Sequence, residues 1–320
     1  MIQCIRRYPR TRAFTNASTG RSVKAGRKQQ PILSLLSCRR AAIFTGIVGT
    51  LSFLLGGSVV AAQVARDAAT APEPMPRGAA QLELTGYWVP LITEDWLYRM
   101  VTAPKGDVGS IPVNAEGRRT AELWDAASDV SAGEQCKAYG APGIMRMPGR
   151  IHVTWENDQT LKLAFTAGTQ TRLFHFADNL SWRGYGSSEL PPDFGLSPAP
   201  SGEPSWQGHS VAAWHKQRQA KGLGNFAAAA RPEPNQGGSL VVITTHLRPG
   251  YLQSNGVPYS AAARLTEYFS RFRFPNGDAG LVVTSILEDT KYLREPLVRS
   301  THFKREADGK KWNPSPCEAR

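Results

Sequence analysis

Apolar and polar residues alternate along several short stretches of this chain. Ile151, Val153 and Trp155 alternate with polar side chains. Because successive side chains of a strand point to opposite faces, this period of two predicts a half-buried β-strand. Asn157 and Asp158 supply a turn, and similar segments follow closely. The pattern predicts an antiparallel meander.

Similar alternation and runs of β-branched and aromatic residues predict further strands. These lie at residues 82–88, 161–165, 171–176, 240–247, 263–272, 281–288 and 297–303. The pair Asn276-Gly277 marks a hairpin, and the stretch 116–127 favours a helix. About eight strands with little helix predict a mainly β fold, either an antiparallel barrel or a sandwich. A barrel is preferred because it leaves no sheet edge exposed.

Residues 184–238 interrupt this pattern with a stretch rich in Pro, Gly, Ser and Ala. An insert of this length without regular structure is uncommon in a compact domain and is often functional. Its centre differs in character, because Trp206 and Trp214 are expected to pack inward.

The first 65 residues are unlike the rest of the chain. Residues 1–40 hold ten basic residues and no acidic one, and residues 41–62 carry no charge. As a helix, an uncharged stretch of that length reaches across a hydrocarbon core of about 30 Å. The basic flank predicts a cytoplasmic N-terminus and export of the residues C-terminal to the apolar stretch. Residues 41–65 fit a transmembrane anchor or a cleaved signal, and the choice stays open.

These features divide the chain into four parts. A basic cytoplasmic leader (1–40) precedes the transmembrane or signal segment (41–65), a linker (66–80) and an exported β domain (81–320). The apolar share of 41% is ample for a packed core. We expect a cell-envelope location, either anchored in the membrane or free in the periplasm or medium after cleavage.

The net charge of +12 does not predict a nucleic-acid partner. Without the leader, 28 basic and 26 acidic residues remain, a net charge of +2. A nearly balanced domain gives no reason to expect a phosphate-binding surface. We expect residues 41–65 to contact the membrane and no part of the chain to bind nucleic acid.

Cys136 and Cys317 are the only cysteines in the predicted exported domain. Two thiols in an oxidising compartment predict a disulfide that ties the C-terminal residues to the domain. Two separate buried thiols are the alternative. Neither cysteine has a second Cys or a His at zinc-ligand spacing, so no metal site is predicted.

The segment GHSVA at residues 208–212 approximates the nucleophile elbow G-x-S-x-G, which exposes a catalytic serine at a tight strand-to-helix turn. Ser210 would be the nucleophile, with His209 or His215 as the base. The final glycine is missing, and an elbow needs a parallel α/β sheet. The structural alternative is a serine that hydrogen-bonds a turn beside histidines of the core.

Aromatic residues suggest a different role for the domain. Trp88, Trp155, Trp206, Trp214 and Tyr268 fall on or beside predicted strands or in the aromatic centre of the insert. In a barrel they could line an apolar pocket, and we take them as candidate ligand-binding residues. A filled core is the alternative.

The domain contains the strings GEQCKAYGAPGIMR, PSWQGHSVAAW, LTEYFSRF and KWNPSPCEAR. They resemble an uncharacterised family of exported bacterial proteins, and the likeness spans nearly all of residues 82–320. It implies export and a β-rich domain but no activity. The G-x-W at Gly86 to Trp88 also resembles the lipocalin signature, which implies a barrel with Trp88 closing one end of the core.

No Walker-type loop, dinucleotide fingerprint or EF-hand loop is present in the sequence. We therefore expect no cofactor. The sequence favours an exported or membrane-anchored barrel that binds an apolar small molecule or an envelope partner without catalysis. The alternative is an exported serine hydrolase using Ser210.

Overall fold

A computed structural model describes residues 75–176, 202–215 and 238–319. All of them belong to one compact unit, residues 71–320. The predicted leader, the membrane segment and most of the linker and insert lie outside the described residues. Within the described ranges, no helix has the length and apolar character needed to cross a membrane.

The described residues form eleven β-strands, and most of the predicted strands are confirmed. They are β1 (Gly86–Leu91), β2 (Ile151–Asn157), β3 (Thr160–Phe165), β4 (Thr171–Phe176), β5 (His209–His215), β6 (Ser239–Thr245), β7 (Gly250–Tyr251), β8 (Pro258–Tyr259), β9 (Arg264–Arg273), β10 (Ala279–Glu288) and β11 (Leu297–Glu306). The first strand begins later than predicted, at Gly86. The hairpin at Asn276-Gly277 joins β9 to β10, with Gly277 at a φ of 86°.

Four short α-helices lie between β1 and β2. They are α1 (Trp96–Met100), α2 (Ala115–Leu123), α3 (Ala126–Ser131) and α4 (Ala141–Ile144). The helix predicted at 116–127 is therefore two helices. Asn114 caps α2 by accepting from the Gly117 amide, and Asp125 caps α3 by accepting from the Ala127 amide, so the second cap starts a new helix.

Nine of the strands close into one barrel, in the order β1-β11-β10-β9-β6-β5-β4-β3-β2. The expected closed barrel is confirmed, whereas the sandwich and the purely antiparallel arrangement are wrong. Strands β4 and β5 run parallel, with Phe174 opposite Ser210. Strand directions cannot alternate fully around a ring with an odd number of strands, so at least one neighbouring pair must be parallel. Two parallel strands that follow each other in sequence need a crossover connection, and residues 177–208 separate β4 from β5 in the sequence.

Strand β5 lies inside the stretch that the sequence marked as an insert. Its pattern does not alternate, because side chains on both faces are buried. Ala212 and Trp214 face the barrel interior, while Val211 and Ala213 pack outside with Val241 and other neighbours. A strand buried on both faces carries no period of two, which explains why it was missed.

The residues between β1 and β2, 92–150, form a cap over one end of the barrel. Ile144 and Met145 of the cap join the same buried cluster as Trp88 and Phe303 of the interior. A second cluster packs the cap onto strand ends, Ala121 among its members. We call this the capped end and the opposite one the far end.

A disulfide joins Cys136 and Cys317, with an S–S distance of 2.03 Å, so the predicted bridge is confirmed in the structure. It ties the cap to the C-terminal residues. The Ser315 amide also donates to the Thr166 carbonyl at 2.9 Å, and the Glu318 amide donates to the Tyr139 hydroxyl at 3.2 Å. The tail is thus held at the capped end by covalent and polar contacts.

Candidate functional site

The barrel interior is filled by side chains. Trp88 is fully buried there and donates its Nε1–H to the Leu84 carbonyl at 2.8 Å. A gap beside it, lined also by Phe174 and Phe269, leaves 10 Å³ for the centre of a water molecule. That is room for about one water. A gap of this size does not hold a drug-sized ligand.

Two more of the predicted ligand-binding aromatics close the far end. Phe176 lies between Trp155 and Trp214, with ring centroids 5.5 Å and 5.3 Å away. Trp214 also donates its Nε1–H to the Pro76 carbonyl at 2.7 Å, which holds the residues before β1 against this end. These three rings fill the far end of the barrel.

The other two aromatics lie outside the barrel. Tyr268 packs against the outer cluster that includes Val241 and Ile243. Trp206 lies under the Arg248 guanidinium, whose carbon is 4.5 Å from the ring centroid. The structure therefore does not bring the five predicted aromatics together into one pocket.

Ser210 lies within β5 and faces the barrel interior, where it is buried. Its Oγ shares a hydrogen bond of 2.7 Å with Oγ1 of Thr244. His209 and His215 point to the opposite face, because residues an odd number of positions apart in a strand do so. The structure places Ser210 on a strand instead of at a turn, and it does not bring the serine to either histidine.

The outward histidines make contacts of their own. The rings of His175 and His209 stack with centroids 5.3 Å apart, and His215 Nδ1 lies 3.3 Å from Oγ of Ser239. Burial lowers the pKa of His209, and the nearby His175 and His246 lower it further. Among the described residues, no group of His, Cys, Asp and Glu side chains is arranged to hold a metal ion.

Three arginines meet under the cap at the capped end, and we call Arg99, Arg146 and Arg299 the arginine cluster. Their side chains are only 2%, 10% and 9% exposed. Arg99 Nη1 donates to Glu94 Oε1 at 2.7 Å, and Arg146 Nη2 donates to Asp95 Oδ2 at 2.9 Å. Arg99 Nε also donates to the Arg146 carbonyl at 3.0 Å. Three buried cations therefore lie beside two carboxylates.

The arginine cluster lines a small cavity, and some of its guanidinium nitrogens donate no hydrogen bond. Nη2 of Arg99, Nη1 of Arg146 and Nη2 of Arg299 are buried and have no hydrogen-bond partner among the described residues. Gln253 lines the same cavity, and its Oε1 is also without a partner. The cavity leaves 20 Å³ for the centre of a water molecule, room for one or two waters.

Burial lowers the pKa values of the three arginines that line the cavity. Burial lowers the pKa of Arg299 to about 10, and the charges of Arg146 and Arg99 contribute to the shift. A guanidinium with that pKa remains charged at neutral pH. Burial also lowers the pKa of Arg99 and of Arg146. In all three arginines, removal of the guanidinium from water is the largest cause of the lowered pKa.

Asp95, whose carboxylate contacts the arginine cluster, has an unusual backbone conformation. Its φ of 47° lies in the left-handed region, which a residue with a side chain rarely adopts. Its carboxylate is thereby held beside Arg146, with Arg299 Nη2 3.9 Å away. Backbone strain of this kind tends to persist where the surrounding structure fixes a functional geometry.

The helix that carries Arg99 presents apolar side chains to solvent on its other side. Trp96 is 62% exposed, Leu97 50%, Met100 52%, and the adjoining Val101 54%. At 100° per residue Trp96, Leu97 and Met100 lie on one side of the helix, and Val101 follows them as the extended residue after its last turn. We call these four residues the apolar arc. Contiguous exposed patches of large apolar side chains are found at interaction and ligand-binding sites.

Sequence reasoning missed the arginine cluster. Its members come from α1, from the residues after α4 and from β11, and no spacing links them. One signal was available, since Leu297, Arg299 and Phe303 share the inward face of β11. An arginine on the buried face of a predicted strand calls for a partner, and the partner was not identifiable from the sequence.

No protein-family model matches this chain, and neither does any curated protein or solved structure. The geometry of the capped end is therefore the basis for assigning a role.

Proposed function

We propose that this chain is an exported or membrane-anchored β-barrel protein that binds an apolar small molecule at the capped end, without catalysis. The observation that carries the proposal is the exposed arc of Trp96, Leu97, Met100 and Val101 on and beside α1. Burying such side chains is favourable by about 25 cal/mol per Å² of apolar surface.

A small molecule is favoured over a protein partner by the size of the surface. Four side chains on and beside one short helix fall well below the roughly 800 Å² that each partner of a standard protein interface contributes. An envelope protein as partner would need a wider surface than this arc provides. The filled interior argues for a ligand on the outside, since contact with Trp88, Trp155 and Trp214 would require the barrel to open.

The proposed location rests on the sequence of the leader together with the disulfide. Residues 41–65 anchor or export the chain, with the basic residues 1–40 left in the cytoplasm. The Cys136–Cys317 bridge supports an oxidising compartment. The intact mass of the protein from membrane and soluble envelope fractions tests this. An uncut chain in the membrane supports an anchor, a start near residue 63 supports cleavage, and an uncut chain in the cytosol contradicts the proposal.

Photocrosslinking in living cells tests the ligand site. We expect benzoylphenylalanine at position 96 to capture an apolar molecule of a few hundred daltons, seen as a mass increment on the intact protein. The control carries the same residue at position 173, because Leu173 is exposed on β4, which pairs with neither strand flanking the cap. Equal adducts at both positions, or none at position 96, would contradict the proposal.

A further inference from the structure

The arginine cluster holds one more positive charge than its acidic neighbours neutralise. The charges of Arg99, Arg146 and Arg299 face those of Glu94 and Asp95. Uncompensated charge in a buried site is unfavourable unless a counter-charge binds there. The deficit is a single negative charge.

The hydrogen-bond donors that have no partner indicate which chemical group would bind in the cavity. One Nη nitrogen from each of Arg99, Arg146 and Arg299 makes no hydrogen bond, and all three residues line one cavity. Two of these nitrogens have a carboxylate oxygen nearby but beyond hydrogen-bonding distance, Arg146 Nη1 at 3.6 Å from Glu94 and Arg299 Nη2 at 3.9 Å from Asp95. Guanidinium nitrogens bind oxoanions through short, charge-assisted hydrogen bonds. Gln253 adds to this set, because its amide turned by 180° presents Nε2–H where Oε1 now lacks a partner.

The size of the cavity selects among oxoanions. Space for one or two waters matches the two oxygens of a carboxylate. A phosphate monoester brings three terminal oxygens and a charge of about −1.5 to −2 at pH 7, which exceeds both the room and the charge deficit. The half-buried Tyr98, Met147 and Ser254 line the cavity as well and leave it a route to solvent.

We propose that the arginine cluster binds one carboxylate group, held by Arg99, Arg146 and Arg299 with Gln253 beside them. This inference rests on the arginine geometry and holds whether or not α1 binds an apolar molecule. The carboxylate belongs either to a small free acid or to an acid with an apolar chain that continues onto the arc of Trp96.

Calorimetric titration of the purified full-length chain with acetate, hexanoate and hexanol distinguishes these sources. Sodium chloride at equal ionic strength is the reference. We expect both acids to bind and chloride to have no comparable effect. Tighter binding of hexanoate than of acetate supports the apolar site as well. Equal binding of the two acids supports the carboxylate site alone and counts against the proposed apolar ligand. Binding of hexanol without binding of either acid overturns the carboxylate site only.

Arg299→Met tests the charge deficit directly. The guanidinium of Arg299 forms only a long ion pair with Asp95, at 3.9 Å and without a hydrogen bond. Asp95 keeps its 2.9 Å hydrogen bond from Arg146 when Arg299 is replaced. We expect acetate to bind at least about tenfold more weakly. Without acetate, the thermal midpoint should stay the same or rise, because repulsion with Arg146 is relieved. Arg299→Gln provides a second variant should the first not fold.

Arg150→Met is the matched control, since Arg150 pairs with Glu306 through Nε at 2.7 Å, outside the arginine cluster. We expect this variant to lose stability and to keep its affinity for acetate. Wild-type protein that binds neither acid more than chloride overturns the proposal. Undiminished acetate binding by folded Arg299→Met or Arg299→Gln overturns it too, as does a lower midpoint of Arg299→Met with no effect of acetate on either protein.

Discussion

Arg172 and Glu267 form a bidentate ion pair inside the barrel, with N–O distances of 3.1 Å and 2.6 Å. Their side chains are 0% and 1% exposed. Arg172 Nη2 also donates to Thr244 Oγ1 at 3.1 Å, and Thr244 in turn bonds Ser210. The pair links β4 to β9, two strands that are separated in the ring by β5 and β6.

Loss of one partner of this ion pair should strongly destabilise the fold. We expect Glu267→Gln to lower the free energy of unfolding by about 3–5 kcal/mol, because it leaves a buried guanidinium without a counter-charge. The double variant Arg172→Met with Glu267→Leu should recover most of the loss. Urea unfolding measures both.

An exposed pair provides the comparison for this ion pair. Arg264 and Glu288 lie 3.9 Å apart and are partly exposed. Their replacement by Met and Gln should change stability by less than about 1 kcal/mol. A double variant of the buried pair as unstable as Glu267→Gln alone would show that charge compensation is not what the pair contributes.

Removal of the disulfide should release the C-terminal residues from the cap. The bridge spans 181 residues of sequence. Cys136→Ser with Cys317→Ser is expected to lower the free energy of unfolding by about 4–5 kcal/mol in the chain-entropy account. Cys4→Ser with Cys38→Ser serves as the control and should leave the free energy unchanged. Identical gel mobility with and without reductant would show that the bridge does not form.

Ser210 should be chemically inert. Its hydroxyl is buried and bonded to Thr244, with no imidazole placed to activate it among the described residues. We expect no labelling of the folded chain by a fluorophosphonate probe, and a stability loss of about 1 kcal/mol for Ser210→Ala. Labelling that disappears in Ser210→Ala would restore the serine hydrolase as the leading function.

Stability should fall as the pH drops below about 6.5, the ordinary pKa of histidine. Burial lowers the pKa of His175 and of His209 in the folded protein, so the unfolded chain binds protons that the folded one resists. The contribution of the neutral rings is complete above that pH and is lost below it. Thermal midpoints at pH 7.5, 6.5 and 5.5 measure the slope. His175→Gln with His209→Gln should flatten it, and equal slopes would contradict this origin.

The sequence predicted those parts of the fold that depend on local alternation. Strand β2 was recovered from Ile151, Val153 and Trp155, and the β9–β10 hairpin was recovered from Asn276-Gly277. Strand β5 was not, because burial of both faces removes the period of two. The parallel pair was missed as well, since it depends on the number of strands in the closed ring.

The candidate site was less accessible to sequence reasoning than the fold. Trp88 was predicted as a ligand-binding residue and lies buried in the core. Whether a barrel interior is filled or open depends on the summed volumes of side chains from nine strands, which no single position reveals. Arg99 and Arg299 are 200 positions apart in the sequence. Long-range meetings of this kind follow from the register of β11 and the path of the cap, which no local pattern encodes.

The pairing of β1 with β11 has a consequence for how the chain reaches its folded form. Tyr87 lies opposite Glu306, so the first strand of the barrel finds one of its two neighbours only when the last strand is available. A nascent chain, made from its N-terminus, carries β1 with one unpaired edge until nearly all of the domain has been synthesised. Contacts so distant in sequence slow folding, and an unpaired edge invites association with other chains. Until β11 pairs with β1 and closes the ring, this edge stays unpaired, so a chaperone that covers strand edges would be most useful before that step.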